Sequence, residues 1–262
     1  MSQPSIFSMR ALALCLCACL AAAGAARAAT FSVDPIIVTL EKTNSSASIA
    51  VTNQTAQKLR LQVTGFSWKQ STSGQLQLAK TDQLIYFPQL LTLDPGETKR
   101  VRVGVTIAQG PVEKTFRVFM EELPPLQSVL APKGRAQVTL LLKVGIPVFL
   151  RPSVAPVISG AVRNASLQKS SLAFDVANTG NAHFSIQNVT VVGKNRSGAQ
   201  ELSQSISGWY VLAGGTRRFV LPISASRCAS LQTLTVQVRT DAGRFGETFA
   251  GVRKQCGTVS AR

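Results

Sequence analysis

The sequence predicts an all-β protein built from two sandwiches, and three observations carry that expectation. Beyond residue 28 the chain shows almost no helical periodicity. It divides into many short segments of alternating apolar and polar residues, separated by polar turns. The alternation stops at Arg151-Pro152-Ser153-Val154-Ala155-Pro156 and then restarts. Two prolines there stiffen a short connection and interrupt strand pairing.

Residues 1–28 read as a signal peptide. Arg10 supplies a sparse positive start, Ala11 to Ala23 is an apolar run, and Ala26-Arg27-Ala28 fits a cleavage site before Ala29. The first sandwich is expected over 29–151. Ser48-Ile49-Ala50-Val51-Thr52 leads into Asn53, and Leu59 to Phe66 alternates with Leu61 and Val63 on one face. The polar stretch Gln70 to Thr81 contains Ser73-Gly74 and reads as a hairpin or loop. Leu90 to Leu93 returns the chain to the sandwich, Asp94-Pro95-Gly96 turns it, and Arg100 to Val105 and Phe116 to Met120 continue the pattern. Glu122-Leu123-Pro124-Pro125 closes a strand, since proline cannot donate a ladder hydrogen bond.

After a loop reaching to Gln137, the run from Val138 to Phe149 reads as one unusually long strand. Val138, Leu140, Leu142 and Val144 line one face, and Thr139, Leu141, Lys143 and Gly145 the other. Core packing accounts for either face. An exposed edge would instead make the run a template for another chain. The second sandwich is expected over 152–262, with strands at Ser171 to Asn178 and Phe184 to Val189 and a hairpin joining Leu234–Val238 to Phe245–Ala250 through Asp241-Ala242-Gly243. A weak internal repeat links the halves. Val51-Thr52-Asn53 matches Val176-Ala177-Asn178, and Leu93 to Arg100 echoes Leu212 to Arg218 in the same order.

Charge and cysteine narrow the setting. The chain carries 28 Lys+Arg against 12 Asp+Glu, a net charge of +16, and remains strongly basic without Arg10 and Arg27. Such a surplus attracts nucleic acid, anionic membrane or an acidic partner. Export and the lack of any nucleic-acid motif argue against nucleic acid, and the basic residues are dispersed. No later segment offers the roughly 18 continuous apolar residues of a membrane span. Cys15, Cys17 and Cys19 leave with the signal, so Cys228 and Cys256 remain as one pair expected to form a disulfide in an oxidising compartment. Such a bond stabilises by about 2–4 kcal/mol. One His and two Cys are too few for a metal site, and no cofactor is expected.

Catalysis finds no support. His183, the only histidine, lies beside the turn at Asn181 and reads as structural or exposed. No nucleophile elbow or phosphate loop occurs, and Glu121 and Glu122, adjacent on a strand, point to opposite faces.

With these residues in view, the span 29–256 resembles the periplasmic pilus-assembly chaperones of the chaperone-usher pathway. The resemblance rests on the Val51-Thr52-Asn53 strand end, Leu93-Asp94-Pro95-Gly96, Glu122-Leu123-Pro124-Pro125, the alternating strand from Val138, and Arg151-Pro152. It implies two immunoglobulin-like domains in a boomerang arrangement, a periplasmic location, and partners that are pilin subunits and an outer-membrane usher. It also implies that Val138, Leu140, Leu142 and Val144 form a donor strand filling the groove of an incomplete pilin. Self-association is one way such a strand could be capped before use. Arg151 and Pro152 then form the hinge.

The chain departs from conventional members, which hold the pilin's terminal carboxylate with an arginine in the first strand and a lysine late in the long strand. Those positions are Ile37 and Pro147 here. Together with Gly145-Ile146-Pro147 this resembles the archaic branch, associated with spore-coat-U-like pilins. The carboxylate anchor is therefore sought at Arg102 or Arg117, single basic residues in otherwise apolar alternation, with Lys143 a weaker candidate. The competing reading is a secreted structural or adhesive sandwich binding an anionic or carbohydrate ligand, for which Trp68, Trp209, Tyr86 and Tyr210 offer aromatic platforms without evident pairing.

Overall fold

The computed structural model describes residues 30–124, 140–168 and 171–251. Residues 1–28, expected to be a signal peptide, and Val138 and Cys256 lie outside them.

The first sandwich packs two sheets. One has the order β1-β3-β8-β6, from β1 (Phe31–Asp34), β3 (Ser46–Asn53), β6 (Leu84–Phe87) and β8 (Thr98–Val105). The other runs β2-β10-β9-β4-β5, from β2 (Val38–Leu40), β10 (Lys143–Leu150), β9 (Lys114–Glu122), β4 (Leu59–Gln70) and β5 (Leu76–Ala79), with β7 (Leu90–Leu93) also on β4. Alternate residues of the facing strands fill the gap between the sheets. Ile49, Val51, Leu61, Leu93, Val101, Val103, Val118, Met120 and Val148 are all fully buried. The pairing is antiparallel except between β2 and β10, where Val38 faces Val148 and Leu40 faces Leu150.

The second sandwich sets β11 (Gly160–Gln168), β12 (Ser171–Asn178) and β16 (Thr216–Pro222) against a sheet ordered β14-β13-β17-β18. That sheet comprises β13 (Phe184–Lys194), β14 (Gln200–Ile206), β17 (Thr233–Thr240) and β18 (Arg244–Ala250), with β15 (Tyr210–Val211) on β13. Phe174, Phe184, Val189, Val191 and Val236 form its core. One short helix, α1 (Ala225–Ser230), is capped by Ser224 and presents Cys228, which is buried and disulfide-bonded.

The internal repeat has a structural counterpart. Asn53 and Asn178 each end a strand and are buried. The Asn53 amide donates to Gln57 O and Leu93 O, and its Oδ1 accepts from Thr55 N. The Asn178 amide donates to Ala182 O and Val211 O, and its Oδ1 accepts from Gly180 N. Offsets of two and four residues recur because both asparagines replace water for the carbonyls of a strand-ending turn.

The long strand differs from its sequence expectation. β10 begins at Lys143, and Leu140 to Leu142 precede it outside the ladder. Its antiparallel partner β9 ends at Glu122, whose N–H donates to Leu142 O. Beyond that point Leu123-Pro124 offers no further donor at the proline. Arg151 then pairs with Glu41 (Nη1 to Oε1, 3.2 Å) and donates its N–H to Leu40 O, while Pro152 is buried.

Candidate functional site

β10 pairs with β9 along its whole length, but with β2 only over Val148 to Leu150. Its other edge is unpaired from Lys143 to Pro147 among the described residues. Because Glu122 N bonds Leu142 O, the even-numbered residues direct their backbone groups to β9 and the odd ones direct theirs outward. Lys143 and Gly145 therefore present N–H and C=O groups to an incoming strand. Pro147 lacks an N–H at a position where no ladder bond is lost.

The side chains of this strand divide the same way. Leu142, Val144, Ile146, Val148 and Leu150 face the sandwich interior. Burial falls along this row from Val148 (0% exposed) through half-buried Val144 and Leu142 to Leu140, which is 86% exposed. The row thus runs out of the core as a continuous apolar ridge. Val138, expected as the first residue of this row, lies outside the described residues.

On the opposite face of the same sheet stand Phe66 and Trp68 of β4, Arg117, Phe119 and Glu121 of β9, and Lys143, Gly145, Pro147 and Phe149 of β10. This face looks toward the second sandwich. Phe149 stacks on His183 at 3.6 Å between ring centres, and Trp68, Phe149, Leu212 and Tyr210 form one apolar cluster. Gln70 donates to Tyr210 O and accepts from Leu212 N, mimicking a strand partner for β15. Glu113, nearly fully buried, receives the His183 backbone N–H at 3.2 Å and lies 2.8 Å from its Nδ1. His183 is therefore structural.

Arg117 sits where this junction meets the open edge. It is 6% exposed. Its guanidinium carbon lies 4.9 Å from the Trp68 ring, 5.7 Å from Trp209 and 6.0 Å from Phe119. Nη2 donates to Gly145 O at 3.3 Å, while Nε and Nη1 have no partner. Burial pulls its pKa below the ordinary arginine value, and Tyr210 opposes that shift. Burial likewise pushes the Tyr210 hydroxyl upward, with Arg117 pulling it down and Asp241 raising it. Gly145 makes the arrangement possible. A Cβ there would stand 2.7 Å from the Phe119 ring and 3.0 Å from Arg117 Nε.

Arg102 stands apart from this site. It lies on β8 in the other sheet, paired with Ser48 and Phe87, and faces outward beside exposed Ile85 and Phe87. Lys143 reaches Glu121 at 2.7 Å and lies over Phe119. Of the four aromatic platforms, Trp68, Trp209 and Tyr210 converge on Arg117, whereas Tyr86 packs against the first core.

Residues 30–156 match the family described as pili and flagellar-assembly chaperone, PapD N-terminal domain. By this match the first sandwich belongs to the N-terminal domains of the pilus-assembly chaperones. No curated protein matches by sequence. Among solved structures, the chaperone fold is shared with a chain of the CsuC–CsuE chaperone–tip adhesion subunit pre-assembly complex from the archaic chaperone-usher Csu pili of Acinetobacter baumannii. The identity is 17%, the TM-score 0.56, and the match covers 84% of this chain and 97% of that one. The E. coli chaperone DraB matches at 16% identity and TM-score 0.51, covering 83% and 97%. A chain of the Salmonella enterica SafA pilin–SafB chaperone complex matches at 14% and 0.51, covering 84% and 95%. At these identities the likeness is one of fold, and it extends to the two-sandwich architecture of this chaperone.

Proposed function

We propose that this chaperone works in the periplasm, holds pilin subunits by lending them its β10 edge, and passes them to an outer-membrane usher. The observation that carries this reading is an apolar row leaving the core along an unpaired strand edge that ends at a buried arginine with two unpartnered nitrogens. A subunit strand added to that edge would satisfy its own backbone on Lys143 and Gly145. Leu140, Leu142 and Val144, with Val138 before them, would enter its groove, each buried side chain contributing about 1.5–3 kcal/mol before ordering costs. The strand would end with its terminal carboxylate at Arg117, whose free Nε and Nη1 suit a charge-assisted pair. Arg117 thereby takes the role that Ile37 and Pro147 cannot fill, consistent with the archaic branch and spore-coat-U-like subunits. The disulfide at Cys228 suits the same oxidising setting.

Delivery requires a second surface that stays free while a subunit occupies β10. Ile85 and Phe87, 54% and 76% exposed, lie beside Arg100 and Arg102 on the outer face of the other sheet, and neither arginine has an acidic partner among the described residues. This apolar and basic patch fits an acidic, apolar usher segment.

Periplasmic co-expression with spore-coat-U-like pilins tests the reading. The chaperone with Leu140→Asp and Leu142→Asp should fail to co-purify with a subunit that the unaltered chain captures. Capture of undiminished strength by the double variant would sink strand donation.

A further inference from the structure

Arg117 is closed off in the free protein although it holds two unpartnered nitrogens. A carboxylate can reach them only when a neighbouring group moves aside. Three rings enclose the guanidinium, and they differ in freedom. Trp68 is 1% exposed and locked into the cluster with Phe149 and Leu212, so it moves only if the junction between sandwiches opens. Phe119 belongs to a central strand, with Phe66 edge-on at 6.0 Å and the Lys143 ammonium at 5.1 Å. Trp209 is 50% exposed and lies just before β15, outside any strand.

The backbone around Trp209 is nevertheless held. Its carbonyl accepts from Ile186 N at 3.0 Å, and the next carbonyl, of Tyr210, accepts from Gln70. Motion at this position is therefore rotation of the indole about its own side-chain bonds, which an exposed residue makes rapidly. We propose that Trp209, supplied by the second sandwich, is the movable wall of the Arg117 site, covering the guanidinium in the free protein and turning aside to admit a subunit's terminal carboxylate. This rests on Arg117 as the carboxylate anchor. It makes the second sandwich a part of the subunit site rather than a support for it. Keeping the arginine between indole faces also holds it dry and charged until an anion arrives, and a charge pair formed there is screened little by water.

Chemical labelling of the mature chain with phenylglyoxal, an arginine-directed reagent, reads the cover directly. Modification of Arg117 is followed by mass spectrometry of its peptide, with exposed Arg102 as internal reference. Arg117 should label slowly in the unaltered chain. Trp209→Ala should accelerate it by about tenfold if the uncovered conformer is about a tenth populated. Trp209→Phe, which keeps a ring, should stay close to the unaltered rate, and an unchanged Arg102 rate with native circular dichroism certifies the fold. Equal Arg117 labelling in the unaltered chain and a folded Trp209→Ala variant overturns the cover. Retained subunit binding by Arg117→Ala would instead overturn the anchor and leave the cover standing, so the two readings fail separately.

Discussion

As the proposed carboxylate anchor, Arg117 would be prepared for a partner at a cost to the free protein. A guanidinium shut away from water without a carboxylate is unfavourable unless something else holds it, and here the hold is one backbone carbonyl and three rings. Gly145 is the condition for that arrangement, so Gly145→Ala should crowd Arg117 and Phe119 together. We expect a loss of about 1–3 kcal/mol in urea unfolding, with subunit capture falling further than stability does. Asn178→Ala should cost about 1–3 kcal/mol by stranding the carbonyls of Ala182 and Val211, read as a lowered urea midpoint. Arg102 and Arg117 look alike in the sequence, each a lone base between apolar neighbours. Strand alternation tells which residues share a face of their own strand, but not which sheet the strand enters or what its outer face meets. The two arginines are separated by the sheet each strand enters and by the packing of the second sandwich against β4, β9 and β10. The aromatic residues around Arg117 cannot be paired from the sequence, because Trp68 and Trp209 lie in different domains.

At the scale of elements, the legible strands were those with long alternating runs, such as β4, β8, β9, β12 and β17. Short or polar strands, including β1, β2, β6, β14 and β15, carry too little periodicity to stand out and form because neighbours supply a ladder. β10 was overextended for the converse reason, since its apolar alternation continues beyond the end of its partner. That mismatch is useful. Leu140 contributes little to the free sandwich, whereas Ile146, 1% exposed, is core. Leu140→Asp should therefore leave the unfolding free energy read by urea within about 0.5 kcal/mol of the unaltered chain while weakening subunit capture. Ile146→Asp should prevent the first sandwich from folding, because it buries an unpaired charge. Equal effects of the two substitutions on stability would mean the ridge is not free to be lent.

Across the whole molecule, the junction between the sandwiches decides whether the Arg117 site exists at all. Glu113 reaches from the first sandwich to the His183 main chain and ring, Gln70 pins β15, and Phe149 stacks on His183, so Trp209 and Tyr210 are held against Arg117 by contacts some distance from it. Glu113→Ala touches neither β10 nor Arg117. It leaves donors at His183 without their acceptor, which should weaken the junction by about 1–3 kcal/mol and let the sandwiches melt separately in calorimetry. Since the wall of the site comes from the second sandwich, subunit affinity should fall together with that cooperativity, and phenylglyoxal should reach Arg117 faster. Were the melting to split while subunit affinity held, strand donation from the first sandwich alone would suffice, and the second would serve only as a platform for delivery. A joint loss makes the relative placement of the two sandwiches a determinant of which subunits this chaperone can hold.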